Sequence, residues 1–428
     1  MKIGSLKFIG LLVAAVLLVA SSAYADESAV AGMQNEIKAL NKRLAALEGQ
    51  LVSVESRVSK PAIAHPGHAA PEGTGAWLRD TEVGGYVEVQ YNNNLTGSRS
   101  APAGGNTART FDNDTDSFTV NAVELNFTKE ADPDGGAGFR FDLAFGEDTG
   151  VVIADGLAGD SVDLQQAYVE YVQPLSFWAD SDVLPDTVKL TAGRFVTLAG
   201  AEVIEGPDNW NISRSLAFGL AIPFVHTGVR ANFGLFNDYF DVYLGWNNGW
   251  DVPVDSNTYK TLEAAVGWSP MENVSLFHAL YYGPETAATN GHKRTVVSNV
   301  LTWDVNDKLS FMADIDFGYE RRFIGSVGAD AENASWQAYA GYTRYQFTDK
   351  FAVAARAETF RNGGERNRTA GFPEPTDALW EATLTAEYRL TDNMLARLEY
   401  RRDKSESDDT FNGDSHQSII GGQVIYVI

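Results

Sequence analysis

Cysteine is missing altogether from the 428-residue chain. Its absence excludes disulfide staples, c-type haem attachment, iron–sulfur clusters and thiolate metal sites. Long apolar runs are missing too. Beyond the first 25 residues no stretch reaches the roughly 18 consecutive apolar residues that a transmembrane helix requires. Histidine is scarce: His65, His68, His226, His278, His292 and His416 are the only six. No Gly-x-Ser-x-Gly, His-Glu-x-x-His or phosphate-loop pattern occurs, so the chain reads as a non-enzyme with no catalytic residues, cofactor or metal site. His65 and His68 form His-Pro-Gly-His without further ligands nearby and read as solvated linker residues. Positive charge is in deficit, with 33 Lys and Arg against 57 Asp and Glu and a formal net charge of −24. That balance argues against a nucleic-acid partner.

What the chain does have is alternation. In Leu309–Glu320, LSFMADIDFGYE, Leu309, Phe311, Ala313, Ile315, Phe317 and Tyr319 share one face, whereas Asp314, Asp316 and Glu320 share the other. A strand places successive side chains on opposite faces, so one side is greasy and the other charged. Sixteen such runs follow one another: 83–93, 118–129, 137–146, 162–172, 187–195, 224–233, 239–247, 258–268, 274–282, 293–303, 309–320, 335–346, 351–360, 379–390, 394–402 and 416–428. Tight turns mostly follow the even-numbered runs and long polar loops the odd-numbered ones, an asymmetry expected of outer-membrane barrels. All 14 prolines fall outside these runs, as a closed ladder with no edge demands. Trp246, Trp268, Trp303, Trp336 and Trp380 lie near run ends, where aromatic girdles meet lipid headgroups. The fold predicted is all-β: a transmembrane antiparallel barrel of about 16 strands over residues 79–428, facing outer-membrane lipid.

Three segments precede it. Residues 1–25 carry Lys2 and Lys7, an apolar run and Ala-Tyr-Ala, the pattern of a cleaved signal peptide. Residues 26–60 hold an unbroken heptad seam, with Ile37, Leu44, Leu51 and Val58 at a and Met33, Leu40, Leu47 and Val54 at d. Arg43 and Glu48, around Leu44 and Leu47, match the Arg-apolar-x-x-apolar-Glu pattern of trimeric coiled coils. This helix is predicted to drive homotrimer formation, with the alternative of a lone amphipathic helix. At 1.5 Å per residue the helical stretch Ala29–Lys60 would reach about 48 Å into the periplasm, near peptidoglycan. Residues 61–78 form a Pro- and Gly-containing linker.

The loop after the fifth run, 196–223, is long and partly apolar: VTLAGAEVIEGPDNWNISRSLAFGLAIP. Such a loop can fold into the barrel and narrow it. Its Glu202, Glu205 and Asp208 would then face Arg194, Arg214 and Arg230 across a constriction, with a strong transverse field. The alternative is an external loop packed on the rim or at a subunit interface. Acids predicted to point inward, among them Glu124, Asp142, Glu358, Glu381 and Glu399, outnumber bases such as Arg140, Arg230, Arg356, Arg397 and Arg401. The excess predicts a mild cation preference.

The stretches Gly193–Glu205, Asn209–Leu216 and Ala221–Arg230 resemble the β-barrel porin-2, or OmpL-like, family. That resemblance implies an outer-membrane porin for passive diffusion of small hydrophilic solutes or ions, and it supplies no solute-binding residues. The alternative reading is a barrel that sheathes a partner protein or anchors the envelope.

Overall fold

The computed structural model describes residues 81–96, 105–152, 162–175, 181–323, 332–364, 378–408, 410–411 and 413–428. The leader, the heptad helix and the linker all lie outside the described residues. Sixteen strands follow in order: β1 (Glu82–Asn94), β2 (Ser117–Lys129), β3 (Gly136–Phe145), β4 (Val162–Pro174), β5 (Thr187–Val196), β6 (Val225–Leu235), β7 (Phe240–Asn247) and β8 (Thr261–Met271). The second half comprises β9 (Val274–Pro284), β10 (Lys293–Asn306), β11 (Leu309–Phe323), β12 (Glu332–Thr348), β13 (Phe351–Gly364), β14 (Ala378–Thr391), β15 (Met394–Ser405) and β16 (His416–Val427). Each pairs with its sequence neighbours, and β1 closes on β16 from Tyr86↔Val427 to Asn94↔Ile419. Every backbone group that a sheet edge would leave bare is thereby paired, the condition for standing in hydrocarbon. The short α1 (Thr149–Val152) follows β3.

Strand β11 shows how the alternation is spent. Phe311, Phe317 and Tyr319 are exposed on the outer face, while Asp314 and Asp316 are fully buried on the inner one. Strand β10 behaves alike, with Leu301 and Trp303 outward and Val296 and Ser298 inward.

Several details differ from expectation. Three prolines fall within strands. Pro174 and Pro284 end β4 and β9, and Pro270 sits where the β8–β9 register shifts between Trp268 and Met271. At strand ends and bulges the missing N–H costs no ladder bond. Strand β3 stops at Phe145 because Gly146 takes φ +117°, turning the chain towards α1. The eighth strand starts at Thr261 rather than residue 258, since the amides of Thr258 and Tyr259 donate to the Asn290 side chain instead of to a neighbouring strand. Trp336 is not a girdle residue: it is 1% exposed and faces inward, whereas Trp246 and Trp303 are exposed on the outer face.

Candidate functional site

The segment 197–224 between β5 and β6 folds against the inner wall. Its apolar residues make that possible. Ile204, Ile212, Leu216, Ala217, Phe218, Ala221 and Ile222 are all buried. All of these but Ile212 form one cluster with Phe111, Val152 and Phe411 of other long-end connections, and with the wall residues Tyr281, Val296, Trp336, Tyr342 and Phe360. A porin lumen is ordinarily polar; here part of it is a hydrophobic core, and burying that surface holds the loop inside.

Polar contacts set its position. Along the loop, the amide of Leu198 donates to the Tyr281 hydroxyl at 2.9 Å, that of Gly200 to Ser298 Oγ at 2.9 Å, and that of Ala201 to Asp314 Oδ2 at 3.0 Å. Glu399 accepts from the amides of Ile212 and Ser213 at 2.6 and 3.0 Å. Glu358 accepts from those of Leu216 and Ala217 at 2.6 and 3.0 Å. Each carboxylate thus clamps two successive loop N–H groups, which would otherwise be buried without acceptors. The Trp336 indole N–H donates to the Ala221 carbonyl at 3.0 Å.

Arginines from the same two strands as Glu358 and Glu399, β13 and β15, hold the loop beside them. Arg356 donates to Glu202 Oε1, the Ser213 carbonyl and Glu381 Oε1, each at 2.6 Å. Arg401 donates to Asp403 at 2.7 Å and to the Arg214 carbonyl at 2.6 Å. Arg397 reaches Glu387 and the Gly206 carbonyl, both at 2.9 Å.

The six residues expected to oppose one another do not meet in that way. Arg194 pairs with Asp163 at 3.1 Å and donates to the Val152 carbonyl; it lies on the register of Leu190 and Ala192, which face outward. Arg230 makes a two-pronged pair with Glu263 at 2.6 and 3.0 Å and covers the Phe195 ring at 4.1 Å. Arg214 spends its guanidinium on the carbonyls of Val203, Ile204 and Ile212. Glu202 goes to Arg356, Glu205 accepts from Gln165 at 2.7 Å, and Asp208 is exposed at the end of a single turn, Gly206–Asp208. Arg194 and Arg230 precede and follow the loop on paired strands and have wall acids at hand, so the loop acids look elsewhere. The residues that were missed, Arg356, Arg397, Arg401, Glu358, Glu399 and Trp336, sit on β12 to β15. Inward parity of the charged ones was legible; their loop partners, at separations of about 110 to 190 residues, were not.

At the β2–β3 wall Glu205 approaches Glu124 of β2 and Asp142 of β3, one carboxylate oxygen of each lying within 4.8 Å of the others. Arg140 donates to both oxygens of Asp142 at 3.0 Å. Burial pushes the Glu205 carboxyl pKa up, against relief from its own backbone N–H, and the charge of Asp142 adds to the rise. The folded protein therefore keeps this proton to higher pH than the unfolded chain. Its contribution to stability is full below the ordinary carboxylate pKa and is lost as pH rises through the raised one. Acidification should accordingly shift the reversal potential at a pH above that of a free carboxyl, and Glu205→Gln should remove that early part of the profile. Reversal potentials across a pH series measure this, and an identical profile in the variant would count against it.

A closed antiparallel barrel of 16 strands, with a loop folded into a lumen lined by charge, defines a porin-type channel of the outer membrane. Residues 80–428 match the family described as "Putative beta-barrel porin-2, OmpL-like", and the chain belongs to that family. The fold is similar to that of the outer membrane channel DcaP of Acinetobacter baumannii, at 14% identity and TM-score 0.54, covering 81% of this chain and 97% of that one. It is similar also to OmpT of Vibrio cholerae in its trimer form, at 11% identity and TM-score 0.53 over 81% and 99% of the two chains. Salmonella typhi OmpF, solved in complex with daunomycin, gives 13% identity and TM-score 0.53 over 81% and 97%. No curated protein matches the chain.

Proposed function

We propose that this porin passes small hydrophilic solutes or ions by passive diffusion, with a lean towards cations, and works as a homotrimer whose N-terminal helix hangs in the periplasm near peptidoglycan. The observation that carries the reading is the loop 197–224, bonded along its length to the inner wall so that it narrows the lumen without being part of the barrel. A fixed constriction in a water-filled barrel selects by size and charge. The cation lean now rests on fewer residues than a count of inward acids suggests. Glu358, Glu381 and Glu399 are taken up by loop amides and arginines, so they add little field to the water path. The triplet Glu124, Asp142 and Glu205, with Arg140 its hydrogen-bonded base, leaves a local excess of negative charge. Support for the trimer comes from the eight-position apolar seam between Met33 and Val58. No chemistry is assigned to the barrel.

Single-channel conductance and reversal potential in a planar bilayer under a salt gradient test the proposal. Steps in groups of three with cation-biased reversal are expected. Anion bias would remove the charge assignment, and a folded barrel that conducts nothing would favour a plugged sheath or an anchor.

A further inference from the structure

We infer that Glu124, Asp142 and Glu205 form a calcium site where the loop meets the β2–β3 wall. The inference deepens the porin reading above and rests on it for its consequence to the current.

The donor set is all oxygen, and one carboxylate oxygen from each residue lies within 4.8 Å of the other two. Calcium takes oxygen ligands at about 2.3–2.6 Å, so ligands on either side of one ion stand up to about 5 Å apart. Magnesium, with bonds of about 2.0–2.1 Å and a strong hold on its waters, fits three converging carboxylates less well. With all three ionised, the carboxylates and Arg140 together carry two negative charges, which one divalent cation balances.

The unspent hydrogen-bonding capacity around the triplet points the same way. Glu124 is 1% exposed; its Oε1 accepts a long contact from Asn126 at 3.5 Å, and its Oε2 has no donor among the described residues. Glu88, outside the triplet and 2% exposed, also leaves Oε2 without a donor. That oxygen is aimed at Gly206, the residue after Glu205, where a Cβ would stand only 1.8 Å from it. Buried carboxylate oxygens without donors are costly; Asp314 and Asp316 on β11 hold such oxygens too, but among the described residues only that of Glu124 belongs to a set of three converging carboxylates. The supports of the other two ligands are in place, since Gln165 donates to Glu205 Oε1 at 2.7 Å and Gln166 to Asp142 Oδ2 at 2.6 Å. Glu205 alone of the three keeps partial exposure, which gives an ion its way in. None of this was legible in the sequence, because the ligands come from two wall strands and from a loop that returns to them.

An occupied site would neutralise the acidic side of the constriction, so calcium should lower the preference for monovalent cations in a saturable way. The test uses the full mature protein in detergent, calorimetric titration with calcium chloride and with magnesium chloride, and reversal potentials at constant ionic strength. Saturable calcium binding, weaker magnesium binding and a matching shift of the reversal potential are expected. Glu205→Gln, on the loop and partly exposed, should weaken calcium binding about tenfold or more, because ligand charge count governs affinity. Glu124→Gln should do the same where the barrel still folds. Absence of saturable binding, equal binding of magnesium, or unchanged affinity in Glu205→Gln would overturn the site. A protein that binds calcium but does not conduct would instead sink the porin reading and leave the site standing.

Discussion

Arg356→Ala should destabilise the folded barrel by about 3–5 kcal/mol, the usual consequence of removing one partner from a buried ion network. Arg356 is buried and donates to Glu202 of the loop, Glu381 of the wall and the Ser213 carbonyl. Alanine would leave both carboxylates and the carbonyl short of a donor in a region water reaches poorly. Glu202 also accepts from the Ser215 amide at 2.7 Å, so loss of the arginine frees both ends of the segment between residues 202 and 215. The pore should therefore widen as well, with higher and noisier single-channel conductance. Arg356→Lys should recover only part of each effect, since an ammonium cannot reproduce the planar fork that serves three acceptors. Urea midpoints for the folded band on unheated gels, together with conductance histograms, measure the two effects. A variant with native midpoint and native conductance would show that the loop does not depend on this arginine.

The second large effect is expected at Trp336. The indole is 1% exposed, donates to the Ala221 carbonyl at 3.0 Å, and packs edge-on to Trp250 at a centroid distance of 6.3 Å. Trp336→Ala removes a large buried side chain and leaves a buried carbonyl without its donor, for about 3–5 kcal/mol. Gly318 on the neighbouring strand is the complement of this ring. A Cβ there would lie 1.7 Å from the indole Cε2, so Gly318→Ala must push the ring off the wall. Both substitutions should loosen the same end of the loop, around Ala217–Ala221, one by removing the prop and one by displacing it. Limited proteolysis of the loop in folded protein reads this directly. Enhanced cleavage between β5 and β6 is expected in both variants, and protection equal to the parent in either would contradict the role given to the indole.

The two substitutions also show which kinds of information lie in the chain and which do not. Period-two alternation depends on neighbours two residues apart, and a closed barrel imposes it on every strand. All 16 runs therefore have their strand at nearly the expected place, and the inward parity of Asp314, Glu358, Arg356 and Arg401 was readable. Ends shifted where local bonding outcompeted the ladder, as at Asn290, or where a bulge admitted Pro270.

The apolar content of residues 197–224 was enough to expect an inward fold, since an exposed loop has no use for Leu216, Phe218 and Ile222. Its partners were another matter. Arg194, Arg214 and Arg230 lie in or beside the loop that carries Glu202, Glu205 and Asp208, yet Glu202 is bound by an arginine 154 positions away. Which wall a loop lies against depends on where the barrel's curvature brings strands β9 to β15, and nothing local encodes that. The chain by itself thus determined the barrel and the strand order, because these follow from alternation and turn length. Only the tertiary structure decided which acids hold the loop, and that three carboxylates from two adjacent wall strands and one loop converge, because those facts depend on contacts between residues far apart in the chain.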